Sequence, residues 1–315
     1  MKLQDLITRY VAFRKSLGAE FASAESLLHT FLRSMGEDRE VEEIGTEQIE
    51  VFLAGTGPVT RYWHRKHDAL RGLYRYAVSR GLVHRIPLPA TVPKMPERLV
   101  PYIYNTNELQ CLVNPASLEH IGLRKLQPHT LRAVLLLLYG AGLRIGEAVA
   151  LTLQAVDLAN AVITIRDTKF HKTRLVPLGP KLNQVIAEYA AQRKEAGHSQ
   201  KAEAPFFVLR RGAPVSVQIV QQAFVRLRQY AGVGRTDGAR YQPRLHDLRH
   251  SFAVHRLTSW YEQGADVQRL LPHLATYLGH VSIAATQVYL TMTPELLQAA
   301  SRRFERYAFP EVGRD

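Results

Sequence analysis

Five prolines crowd into IPLPATVPKMPERLVP at 86–101, at positions 87, 89, 93, 96 and 101. Proline holds φ near −65°, has no N–H to donate and pushes the residue before it towards extended backbone. Neither a helix nor a central strand can run through this stretch, so it reads as an extended linker. A chain of 315 residues is long enough for a separate core on each side. The expected organisation is a domain at 1–85, a linker at 86–101 and a domain at 102–315.

The first part reads as helices only. Leu3, Leu6, Ile7, Tyr10 and Leu17 fall on one helical face before Gly18, and Leu27, Leu28, Phe31, Leu32 and Met35 repeat the pattern before Gly36. A shorter helix follows Thr46, and a longer one follows Thr60. In that last helix Arg61, Arg65, Lys66, Arg71, Arg75 and Arg80 alternate with Tyr62, Trp63, Tyr74 and Tyr76. Two readings stand: a solvated basic face over an aromatic core contact, or a helix lying along a nucleic-acid backbone.

The second part is mixed. Apolar helical runs at 128–141 and 144–153 precede AVITIRD (161–167) and TRLVPLG (173–179), which pair as a hairpin with a basic tip, TKFHK. Helices are expected at 180–195, 216–231, 246–263, 265–278 and 294–307, with a short strand near 206–209. The fold class is therefore mainly α with a small antiparallel β-sheet. The last helix carries Leu296, Leu297, Ala300 and Phe304 on one face, for packing on its own domain or on a neighbouring protomer.

Lys and Arg number 41 against 28 Asp and Glu, a formal charge of +13. That excess favours a polyanionic partner. The longest uncharged apolar run, AVLLLLYGAGL at 133–143, is too short to span a bilayer, and no signal-peptide h-region is expected at the N-terminus. A single cysteine, Cys111, excludes an intrachain disulfide and leaves the reducing cytoplasm as the default location.

The segment HDLRHSFAVH at 246–255 can be read two ways. His-Asp-x-x-His is one letter from the zinc-protease His-Glu-x-x-His, yet it also contains His-x-x-Arg, which can grip a phosphate. Arg249 inside the motif would set a cation beside the metal, which disfavours zinc. As an anion site the segment finds partners: Arg144 in GAGLRIGEA, Lys169 in the hairpin tip, His280 in LGH, and Tyr289 in TQVYL nine residues after His280.

Five motifs in order, AGLRIGEA, TKFHKTRLVPLG, HDLRHSFAVH, YLGH and TQVYL, resemble the tyrosine recombinase (phage integrase) family. The resemblance covers roughly 105–300, and the helical 1–85 is similar to that family's core-binding (SAM-like) domain. It implies a clamp of two domains around double-stranded DNA carrying a specific recombination site, no metal or other cofactor, and a homo- or hetero-tetramer on two DNA sites. On the family's pattern Arg144 and Arg249 clamp the scissile phosphate and His280 bonds one of its oxygens. Lys169 protonates the leaving 5′-oxygen, and His246 takes the proton of the nucleophile Tyr289. Arg61, Arg65, Lys66, Arg71, Arg75 and Lys172 are the expected DNA contacts.

The residue types suit these roles. Ionising a tyrosine at pH 7 costs about 4 kcal/mol, so neighbouring cations or a base must share that cost. Forked guanidinium groups match the charge that develops on nonbridging oxygens. Alternatives from other classes are a non-catalytic DNA-binding protein of the same fold and a zinc hydrolase. Glu147 and His250 read as supporting residues. The stretch between Arg249 and His280 is longer than in compact recombinases and is more similar to integrases of mobile elements.

Overall fold

The computed structural model describes residues 1–96, 99–166, 173–239, 241–280, 282–291, 297–298, 300–302 and 304. The chain separates into two compact units, Met1–Leu99 and Val100–Asp315, divided inside the proline-bearing stretch.

The first unit packs α1 (Leu3–Ser16), α2 (Ala22–Met35), α3 (Thr46–Ala54) and α4 (Arg61–Ser79) around Leu6, Ile7, Leu28, Phe31, Leu70, Leu73 and Tyr74, all buried. Leu17 does not join that core. It caps α1 with non-helical backbone, one residue before left-handed Gly18, and is 65% exposed. The Thr60 hydroxyl caps α4 by accepting from the Tyr62 N–H. Helical spacing then divides α4 into two faces. Trp63, His67, Leu70, Tyr74 and Ala77 are buried, while Arg61, Arg65, Asp68, Arg71 and Arg75 are exposed.

The second unit is built on α7 (Pro128–Gly140), whose Leu131, Val134, Leu135, Leu137 and Leu138 are buried. Helices α5 (Thr106–Val113), α6 (Pro115–His120), α9 (Pro180–Glu195), α10 (Val217–Tyr230) and α11 (Asp247–Glu262) belong to the same unit, followed by α12 (Val267–Leu278) and the short α13 (Ala284–Gln287). The apolar run at 133–143 is thus core, and no helix among the described residues is long and apolar enough to cross a membrane.

The sheet is antiparallel in the order β1 (Val156–Asp157), β2 (Val162–Ile165), β3 (Arg174–Pro177). Its register sets Ile163 opposite Val176 and Ile165 opposite Arg174. Cross-strand partners share a face, so Arg174 lies on the side of the buried Ile163, Ile165 and Val176, and Leu175 faces solvent.

Two expectations differ from the structure. The short α8 (Ile145–Val149) ends well before 153. No strand forms over 206–209: the Arg193 side chain donates to the Phe206 and Pro205 carbonyls, and the Tyr189 hydroxyl accepts from the Val208 N–H. These side chains share the backbone groups with scattered main-chain bonds to Leu151, Ala213 and Val215, and the pairing amounts to an isolated bridge between Val208 and Pro214. Most of the helix expected over 294–307, like the hairpin tip, lies outside the described residues.

Gly142 closes the turn between α7 and α8 at φ +60, where an added Cβ would stand 2.6 Å from Phe252 and 2.9 Å from Leu278. Gly142→Ala should destabilise this unit by about 2–4 kcal/mol, through overpacking and a left-handed alanine. Gly146→Ala, in open space, should not. Thermal melting of both variants checks this, and equal midpoints would contradict it.

Candidate active site

The second unit converges on the C-terminal end of α12. A helix ends with carbonyls that have no intrahelical partner and carry partial negative charge. Here Gly279, left-handed at φ +66, turns the chain, and three successive carbonyls each accept from a different arginine. Arg174 Nε donates to Tyr277 O at 3.0 Å, Arg249 Nη2 to Leu278 O at 2.5 Å, and Arg144 Nη2 to Gly279 O at 2.9 Å.

Arg249 is 2% exposed and also donates to Gly142 O at 2.6 Å. Burial, then the neighbouring Arg144, pulls its guanidinium down to about 10, so it stays protonated at pH 7. Arg144 is the residue before α8. Glu147 accepts from the Arg144 backbone N–H at 2.9 Å and from its Nη1 at 2.7 Å, closing the first turn of α8. Arg174 grips the same carboxylate with both terminal nitrogens, at 2.9 and 2.7 Å. Burial pushes Glu147 upward, but the bonds from Arg174 and Arg144 win and hold it at about 2.

Three histidines complete the wall. Helix α11 starts after His246 and carries Arg249 and His250 within its first turn, so all three reach the same side. The His246 and His250 rings meet edge to face, with centroids 4.7 Å apart. His280 follows the α12 terminus, and its Nδ1 lies 2.7 Å from Thr286 Oγ1. Partial burial lowers two of them, His250, with His246 beside it, to about 3, and His280, facing Arg249 and Arg144, to about 4; His246 is exposed, and the surrounding protein and Arg249 shift it in the same direction. Each is therefore neutral at pH 7.

Tyr289 stands in the 3₁₀ turn Val288–Thr291 and is 3% exposed. Its hydroxyl is 3.1 Å from His250 Nδ1, and its ring lies 6.0 Å from that of His280. Burial raises the phenol's pKa, opposed in part by the cationic Arg249 and Arg144.

The fold thus gathers Arg144, His246, Arg249, His280 and Tyr289. Lys169 and Lys172 lie outside the described residues. The histidine on the tyrosine hydroxyl is His250, where the family's pattern had suggested His246; positions 246 and 250 share a face of α11, and the approach of the 288–291 turn selects between them. Asp247 points away, accepting from Arg244 N and Arg244 Nη2, both at 2.8 Å. Among the described residues no group of three His, Cys, Asp or Glu side chains is placed to hold a metal.

The basic residues of α4 divide by face. Arg65, Arg71 and Arg75 are exposed, and Arg61 is exposed while donating to Pro96 O. Lys66 is half-buried instead. It donates to Phe52 O at 2.7 Å and lies over the Phe52 and Tyr62 rings, and burial lowers its pKa.

The family model described as the phage integrase family matches residues 107–295. This chain belongs to the phage integrase family. The matched span holds every member of the site from Arg144 to Tyr289 and leaves α4 outside. The chain is 37% identical over 308 residues to the Sinorhizobium fredii protein y4rB, named as an integrase/recombinase, covering 95% of this chain and 96% of that one. It is 33% identical over 284 residues to the tyrosine recombinase XerC of Brucella suis, covering 86% and 82%. The Tn1549 transposon integrase, solved with transposon right end DNA, superposes with a TM-score of 0.66 at 16% identity, covering 98% of this chain and all of that one. A lambda integrase dimer bound to a core site gives 0.65 at 17%, covering 92% and 77%. At those identities the structural matches establish the shared fold.

The neutral, half-buried His250 and His280 predict an acid-labile site. Their folded-state pKa values lie below the unfolded value of about 6.5, so their contribution to stability is complete above that pH and lost as pH falls towards about 4. Glu147, depressed in the fold, adds a loss below its unfolded value of 4.5. Urea midpoints measured between pH 7.5 and 5 should fall, and His250→Phe should flatten that slope. An unchanged slope in the variant would refute the assignment.

Proposed function

We propose that this chain is a site-specific DNA recombinase that cuts and rejoins duplex DNA through a 3′-phosphotyrosyl intermediate. The observation that carries the reading is the Tyr289 hydroxyl, 3.1 Å from the neutral His250 and facing the buried guanidinium of Arg249. A phenol in that position has a proton acceptor and a cation on one side of a cluster otherwise suited to phosphate.

Arg144 and Arg249 hold the scissile phosphodiester, and His280 bonds a nonbridging oxygen. Tyr289 Oη attacks phosphorus, forming a P–O bond to the tyrosine and breaking the bond to the 5′-oxygen. The phenol proton passes to the His246–His250 pair, of which His250 is the direct partner. Neutral imidazoles have a lone pair to receive it, and the incoming anionic phosphate raises their proton affinity. Lys169 supplies a proton to the departing 5′-oxygen. The phosphotyrosyl bond conserves the energy of the broken phosphodiester, so rejoining by another strand's 5′-hydroxyl requires neither ATP nor a metal ion. Charge stabilisation on the phosphate oxygens is the main source of acceleration.

The exposed arginines of α4, Arg61, Arg65, Arg71 and Arg75, provide a second DNA contact in the first unit, and Lys172 adds one beside Lys169. Exchange of two duplexes requires four cleavages, hence four protomers on two sites. A lambda integrase tetramer bound to a Holliday junction shares the fold. The cytoplasm, where DNA is accessible in a bacterial cell, is the expected compartment.

The test begins with a pool of nicked duplexes of randomised sequence, incubated with the protein in EDTA. Covalent adducts are recovered on denaturing gels and amplified over successive rounds until one duplex dominates. Wild-type protein should form an adduct with that duplex, and Tyr289→Phe should form none; persistence of the adduct in Tyr289→Phe would sink the reading. On the same duplex, replacing Arg65, Arg71 and Arg75 by alanine should weaken binding. The slope of log K against log salt should become shallower by about one for each phosphate no longer neutralised. An unchanged salt slope would remove α4 from the interface.

A further inference from the structure

We propose that Arg174 is a positioning residue for the phosphate clamp: it locks Glu147, and through it Arg144, to the α12 terminus that carries His280. The inference rests on the recombinase reading above and adds to it a residue outside the reacting set.

Arg174 belongs to β3, yet its side chain does not serve the sheet. The register opposite Ile165 turns it to the buried face, where its side chain is 9% exposed. There it makes three directed bonds, two to the Glu147 carboxylate and one to Tyr277 O. Glu147 in turn holds both the backbone N–H and Nη1 of Arg144. Both carboxylate oxygens are thereby shared between two arginines.

The planar fork is what makes this possible. Two parallel N–H groups match the carboxylate while Nε reaches a third acceptor, which a lysine ammonium cannot do. Room for the fork comes from Gly279, where an added Cβ would sit 2.8 Å from Arg174 Nη1. Without Arg174, Glu147 would be a buried carboxylate with one arginine, and Arg144 would share its anchor with water. A displacement of the clamp by about 1 Å is enough to slow a positioned reaction by about a hundredfold. Arg174 also ties the base of the β2–β3 hairpin, whose tip contains Lys169, to the same carboxylate. Strand, helix start and helix end therefore meet on one side chain.

The test compares Arg174→Gln, Arg174→Lys, Glu147→Gln and the double variant Arg174→Gln/Glu147→Gln with wild type on the selected nicked duplex. Adduct rate, DNA affinity and melting temperature are each measured. Arg174→Gln should slow adduct formation by about 10- to 100-fold while affinity changes by less than about threefold. Arg174→Lys should restore part of the rate, and the double variant should be no slower than Glu147→Gln alone. Because Glu147 loses its main cationic partner in Arg174→Gln, the acid limb of its rate profile should move to higher pH than in wild type. The proposal is overturned by a wild-type rate in Arg174→Gln, or by additive losses in the double variant. A parallel loss of affinity and rate with an unshifted pH profile also overturns it, since that marks a purely structural role. If wild type itself forms no adduct with any duplex, the recombinase reading fails and Arg174 loses its role with it.

Discussion

The candidate site is arranged around the carboxylate of Glu147 and the carbonyls that end α12. These groups are acceptors only, and three arginines supply the donors. Isolated guanidinium groups at this depth would carry a large desolvation penalty. Charge-assisted bonds to the helix terminus and to Glu147 offset it and fix the position of each fork. The α7–α8 turn, β3, α11 and α12 are thereby held together by hydrogen bonds as well as by apolar packing.

The electrostatics of the site favour an anion. Glu147 is one anion facing Arg144, Arg174 and Arg249, and the surrounding histidines are neutral. The local excess of positive charge sits around a buried tyrosine whose phenol has been made harder to ionise. On the proposed reading, a phosphodiester entering this cluster meets preorganised donors and lowers the cost of keeping Arg174 and Arg249 buried. In the proposed reaction its charge also raises the proton affinity of His246 and His250, so that substrate binding prepares the proton acceptors. Chemistry and binding draw on the same charge imbalance.

Much of this is legible in the sequence. The α9 helix begins and ends where its pattern begins and ends, the hairpin arms pair as their β-branched residues suggest, and the proline stretch contains the division between the two units. Short elements are not legible. The two-residue β1 is set by its pairing with β2, and 206–209 is held by Tyr189 and Arg193 from another helix, which no local propensity reports. Leu17 keeps the apolar character of α1 but falls beyond its last helical residue. Lys66 looks like its basic neighbours until helical rotation sets it against Phe52.

The amino-acid sequence alone determined the family, the helical class and the basic character, and nominated the candidate set from Arg144 to Tyr289, because motif order and spacing are properties of the chain. Tertiary structure decided which groups touch. His246 and His250 share one face of α11, so only the arrival of the 288–291 turn selects His250 as the partner of Tyr289. Arg174 is one basic residue among 41 until the β2–β3 register turns it inward onto Glu147, 27 residues away in sequence. Spacing along a helix or strand fixes the direction of a side chain relative to its own element, but its partners come from elements whose approach is set by packing across the whole core.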